Sequence, residues 1–246
     1  MTVATTAVSA RFRIGRVLGD SFRVLGASLL PFLALTLLLI APVYVAVGLG
    51  GDSTALVEPD SGLDFLAVIA EMLLSFVAEA ALVYGTFRQL QGRRGSFGDT
   101  VATGLRKVLP VVLVSLAVGV LALLGLALLV IPGLIVMTVY AVAVPAAVVE
   151  HLGVGASLNR SAALTKGCRW RIFGVLLVTI ALQVGLEIVI ELALDFQGGA
   201  IFSLAVSWLL SGATGALYAV LATVIYHELR RVKEGAELDE IAAVFD

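Results

Sequence analysis

Residues 108–149 read VLPVVLVSLAVGVLALLGLALLVIPGLIVMTVYAVAVPAAVV, 42 positions without an Asp, Glu, Lys, Arg or His. A bilayer-spanning helix needs about 20 apolar residues. At about 1.5 Å per residue, one helix over this stretch would measure about 63 Å, roughly twice the hydrocarbon thickness. The stretch therefore crosses twice. The turn is expected at Ile131-Pro132-Gly133, because proline lacks an amide donor and glycine turns without a side-chain clash.

Outward from this stretch, Val24–Gly51 and Phe196–Tyr226 are also free of charge, and each is long enough to cross. Two further apolar stretches carry acids. Leu63–Phe87 has Asp64 at its mouth and Glu71 and Glu79 inside, and Trp170–Leu194 holds Glu187 and Glu191. The count is six spans, an all-α polytopic membrane bundle with short interfacial amphipathic helices. The whole chain agrees: of 246 residues, 60% are hydrophobic and 14% charged, too apolar for a water-exposed shell to cover. A lone Cys168 excludes a disulfide scaffold, and 16 Lys and Arg against 18 Asp and Glu exclude a basic nucleic-acid binder.

The cations sort the topology. Arg11, Arg13, Arg16 and Arg23 precede span one; Arg88, Arg93, Arg94, Arg106 and Lys107 join spans two and three. Arg160, Lys166, Arg169 and Arg171 join spans four and five, and Arg230, Arg231 and Lys233 follow span six. The opposite connections hold no Lys or Arg, only Asp52, Glu58, Asp60 and Asp195. Positive charge near span ends stays cytoplasmic during insertion, which predicts both termini inside a bacterial inner membrane. Residues 11–23 lack the pattern of a secretory leader, so span one is expected to remain in the mature chain. The expected layout is a cytoplasmic amphipathic helix over 1–27, a six-helix domain over 28–227 and an amphipathic cytoplasmic tail over 228–246. Segments 14–25, 96–109 and 154–168 each read as an amphipathic helix leading into an odd-numbered span, a possible threefold repeat.

Four glutamates stand out as a possible intramembrane polar site: Glu71, Glu79, Glu187 and Glu191. Each pair lies roughly along one helix face, and Glu71 and Glu187 share a depth of about 12 Å from the acidic side. They are read either as a proton or cation route or as protonated groups hydrogen-bonded between helices, with Gln183, Ser75 and Tyr84 as possible partners. Ser203, Ser207, Ser211, Gly215, Ala219 and Thr223 recur every four residues, a small-residue stripe that reads as a helix-packing seam or a homo-oligomer contact through Ser207, Ser211 and Gly215. Tyr140, Pro145 and Glu150 mark a kink or a freed carbonyl in span four. His151 and His227 sit at span ends without metal-ligand spacing, and no phosphate loop, nucleophile elbow or dinucleotide fingerprint is present. No catalytic residue, metal site or cofactor is expected.

The run Leu158-Asn159-Arg160-Ser161 through Leu164-Thr165-Lys166-Gly167-Cys168-Arg169-Trp170-Arg171-Ile172-Phe173-Gly174 resembles the segment before span five in a large bacterial family of membrane proteins. That family is related to the membrane domain attached to some glycerophosphodiester phosphodiesterases. The run Tyr226–Gly235 with Ile241–Asp246 is similar to the family's tail, and Pro145–Glu150 to its fourth-span ending. The resemblance implies a six-span domain of undefined biochemical role. It does not carry the phosphodiesterase activity, which belongs to a separate soluble barrel.

In physical terms Gly167 can end the amphipathic helix, while Trp170 at headgroup depth with Lys166, Arg169 and Arg171 can either anchor the topology or bind an anionic lipid headgroup. The expected function is a non-enzymatic membrane protein that organises or binds lipid or a membrane partner, with a possible cytoplasmic partner at the tail. The alternative is a small transporter or channel using the four glutamates.

Overall fold

A computed structural model describes the backbone of residues 14–50, 56, 59–92, 97–195 and 200–245; side chains at 97, 99–101, 103, 187, 189–195, 200 and 236–245 lie outside that description. Among the described residues there are eight helices and no strand: α1 (Ile14–Gly50), α2 (Gly62–Leu90), α3 (Phe97–Leu128), α4 (Val130–Val139), α5 (Ala143–Glu150), α6 (Val154–Thr165), α7 (Arg169–Asp195) and α8 (Ala200–Phe245). Six stretches are long and apolar enough to cross a membrane, α4 and α5 together forming the fourth. The chain is an all-α, multi-pass membrane bundle.

Three of the breaks in this helical path obey one rule. Ser28 interrupts α1 with φ −133° and ψ 20°, Leu129 separates α3 from α4, and Val142 precedes α5. Pro31, Pro132 and Pro145 each follow the non-helical residue by three positions. The first amides of a helix have no intrahelical acceptor, so a proline in the first turn sacrifices no hydrogen bond. The turn expected at Ile131-Pro132-Gly133 therefore falls earlier, at Leu129, and the span-four break falls at Tyr140–Val142, ahead of Pro145. At the first of these two, a Cβ on Gly125 would stand 2.8 Å from Gly133 Cα, so the two glycines let α3 and α4 close on each other.

Of the three expected amphipathic helices, only the third is separate. Residues 14–27 run into span one through the Ser28 bend, and α3 continues unbroken from Phe97 through Pro110. Helix α6 ends at Thr165, capped by Lys166 and followed by Gly167 at φ +85°, a backbone conformation in which a side chain would be strained. Asp64 is a capping group: its carboxylate accepts from Ser61 N at 2.9 Å while Ser61 Oγ accepts from Asp64 N at 3.2 Å.

Packing centres on α2 and α8. Ala80, Ala81, Leu82 and Val83 are fully buried, so at that level α2 is covered on every face, by α1, α3, α5 and α8. Against α3 the approach is set by Gly104, where a Cβ would lie 2.7 Å from Ala81 Cβ and 3.0 Å from Val77 O. Helix α8 runs antiparallel to α1, from Leu204 beside Gly48 to Glu228 beside Arg16. It also runs on without a break through the expected boundary at 227 and 228.

The small-residue stripe is not one buried seam. Residues four apart advance about 40° around a helix beyond each full turn, so six of them sweep about 200°. Ser207 and Gly215 are accordingly exposed while Ala219 and Thr223 are buried. The close approach belongs to Gly212, outside the stripe, where a Cβ would stand 2.6 Å from Leu37 Cδ2. Helix α7 is peripheral, packing on α1, α4 and α8, with Ile172, Val175 and Thr179 the buried residues among its described side chains.

Candidate functional site

The two glutamates of α2 lie about two turns apart and have different surroundings. Glu71 Oε1 accepts from Tyr44 Oη of α1 at 3.0 Å and from Ser211 Oγ of α8 at 3.1 Å. These bonds clamp three helices around one carboxyl, the hydrogen-bonding arrangement weighed above against an ion route. Neither partner was among those anticipated. Tyr44 carried a signal, since a tyrosine inside an apolar span needs a partner for its hydroxyl. Ser211 was visible only as a small residue.

Glu79 is about 12 Å farther along α2. It lines a cavity of about 250 Å³ between α1, α2 and α8, with Thr36, Ser75, Phe76, Ser211 and Tyr218 also in its wall. Its hydrogen bond from Ser115 Oγ is long, 3.5 Å. Of the anticipated partners, Ser75 shares this cavity, whereas Tyr84 lies beside Arg88, whose Nη1 is 3.5 Å from the tyrosine hydroxyl. The side chains of Glu187 and Glu191 lie outside the described residues. Their helix, α7, packs on α1, α4 and α8, whereas α2 packs on α1, α3, α5 and α8.

At the start of α7, Arg169 and Trp170 are exposed, as are Lys166 and Arg171. Arg169, Trp170 and Phe173 face Ile131, Leu134, Ile135 and Thr138 of α4 across a groove of about 470 Å³. Trp170 and Phe173 meet edge to face with ring centroids 6.1 Å apart. The groove thus combines an apolar floor with a guanidinium and an indole at one wall.

A further polar cluster surrounds the break in span four. Ending α4 at Val139 frees that residue's carbonyl, and α6 answers it: Ser161 Oγ donates at 2.8 Å, and Thr165 Oγ1, whose one proton is shared with Ser161 O at 2.9 Å, reaches it at 3.2 Å. Ser161 Oγ also accepts from Val142 N at 3.4 Å. Next to Ser161 in the chain, Arg160 Nε donates to both oxygens of Glu150, at 2.9 and 3.0 Å, and its Nη2 pairs with Glu234. Tyr226 Oη donates to Glu150 at 2.6 Å, and Arg230 Nε to Glu234 at 2.5 Å. Partial burial works to lower the Arg160 pKa, but hydrogen bonds and charge from Glu150 and Glu234 outweigh it and hold the guanidinium above its ordinary value. Of the residues read as a span-four candidate, Glu150 joins this network, Pro145 restarts the helix, and Tyr140 sits at the break. Sequence reasoning missed Ser161 and Thr165, because spacing within α6 does not reveal which backbone they serve.

Lys107 Nζ lies 2.8 Å from His151 Nδ1. Among the described residues no three His, Cys, Asp or Glu side chains converge as a metal site would require.

The fold and these sites define a class: a six-span helical membrane protein with hydrogen-bonded intramembrane acids and a basic, tryptophan-bearing groove. Compared with protein-family models, curated proteins and solved structures, the chain matches none.

Proposed function

We propose that this chain is a non-enzymatic protein of a bacterial inner membrane that holds an anionic lipid in the groove between α4 and α7, and so organises lipid around itself or a membrane partner. The carrying observation is the groove itself. Apolar side chains of α4 offer an acyl chain a wall, and Arg169 beside Trp170 offers an anionic headgroup a cation and an interfacial ring. Lys166 and Arg171 add positive charge next to the same site. The reading places the sixteen Lys and Arg, and with them both termini, on the cytoplasmic side. The resemblance to a bacterial family related to a lipid-headgroup enzyme's membrane domain points the same way.

The test is lipid retention by the purified full chain, read by native mass spectrometry after mild detergent extraction. The expected result is a bound anionic phospholipid on the wild type that is lost from an Arg169→Gln, Trp170→Ala variant. Retention of zwitterionic lipid alone, or equal anionic lipid on both proteins, would overturn the reading.

A further inference from the structure

The Glu79 cavity lies apart from the lipid groove, between different helices, and its wall has an unusual composition. One carboxyl shares it with two aromatic rings, Phe76 and Tyr218, and no Lys or Arg lines it. Phe76 stands three residues before Glu79, which places ring and carboxyl on the same face of α2. The acid's bond to Ser115, at 3.5 Å, leaves most of its accepting capacity unused.

Two hydroxyls of the wall are already engaged. Thr36 Oγ1 donates within reach of Phe32 O, Leu33 O and Gly212 O, at 3.1, 3.0 and 3.2 Å, and Ser211 donates to Glu71. A carboxylate at membrane depth is costly unless a cation compensates it. Hard metal ions need a shell of six or more oxygens, which one carboxyl, two committed hydroxyls and those of Ser75 and Tyr218 do not supply. A charge-diffuse cation with alkyl substituents has different needs: one counter-charge, aromatic faces and apolar walls.

We infer that this cavity binds a small organic ammonium ion, its charge against Glu79 and its alkyl groups against Phe76 and Tyr218. The volume of about 250 Å³ limits the ligand to a compact one. Gly215 keeps the α8 side open, since a Cβ there would meet nothing within 4 Å.

The experiment is calorimetric titration of the full chain in maltoside micelles with tetramethylammonium, choline and tetraethylammonium chlorides, against potassium chloride at equal ionic strength. Saturable binding of an ammonium ion is expected, weakened at least about tenfold by Glu79→Gln, as loss of a buried charge-assisted contact would give. Gly215→Leu fills the cavity from α8 while leaving the carboxyl in place, and it too should weaken binding at least about tenfold. Should Glu79→Gln fail to fold, Gly215→Leu decides the question. Absence of saturable binding for all three ions, or binding untouched in the folded variants, would overturn the inference.

Discussion

The hydroxyl of Ser161 on α6 lies 2.8 Å from the carbonyl oxygen of Val139, the last residue of α4. A separate helix thereby satisfies the backbone that a broken span leaves open. In hydrocarbon an unanswered carbonyl costs more than in water, so the break and α6 depend on each other. Replacing Ser161 with Ala and Thr165 with Val together should destabilise the fold by about 1–2 kcal/mol, and Ser161→Ala alone by less, since Thr165 still reaches the same oxygen. Equilibrium unfolding in mixed micelles, followed by tryptophan fluorescence, measures both.

Arg160 joins Glu150 at the end of α5 to Glu234 on α8. Arg160→Ala should loosen that end of α8, raising amide exchange over residues 228–235 by about fivefold, as loss of about 1 kcal/mol from a partly exposed network gives. Exchange over residues 111–124 should stay unchanged. Arg160→Lys should behave nearly like Ala, because an ammonium cannot reproduce the planar fork that serves two carboxylates.

The glycines separate by what surrounds them. Gly104→Ala and Gly125→Ala would each drive a methyl against backbone atoms of a neighbouring helix, so each should cost about 1–3 kcal/mol. Gly215→Ala meets open space and should be neutral or stabilising by up to about 1 kcal/mol through helix propensity. Unfolding midpoints of the three variants, compared side by side, give the order.

Tyr44→Phe and Ser211→Ala each remove one of the two donors to Glu71 Oε1. Each should cost about 0.5–1 kcal/mol, the scale of interhelical hydrogen bonds in membranes. The double variant should cost more than the sum, because only then is the carboxyl deprived of both donors. A double-mutant cycle on unfolding free energies reads the coupling.

Topology is open to labelling in a Cys168→Ser background. Cysteines placed at Asp60 and Leu129 should react with an impermeant maleimide from outside intact cells, and one at Asn159 only after permeabilisation. Reaction of all three from one side would sink the six-span threading.

Much of this architecture was legible in the sequence. Charge-free runs long enough to cross, and cations confined to alternate connections, give the spans, because hydrocarbon tolerates neither unpaired charge nor unsatisfied backbone. Those signals are local and additive along the chain, so they need no partner to be read. Pro132 and Pro145 marked the turn after span three and the break in span four, but their positions misled by three residues, since a proline sits comfortably inside the first turn of the helix it starts, and the bend at Ser28 ahead of Pro31 was not read at all. The glutamates announced themselves as costly residues, yet nothing local told Glu71, held by Tyr44 and Ser211, from Glu79, facing a cavity. Which hydroxyl meets which carbonyl, which glycine lies under a neighbouring helix and which acid faces open space depend on how helices distant in sequence pack. Only the tertiary structure decided them, because contact is a property of pairs of helices and hydropathy a property of one.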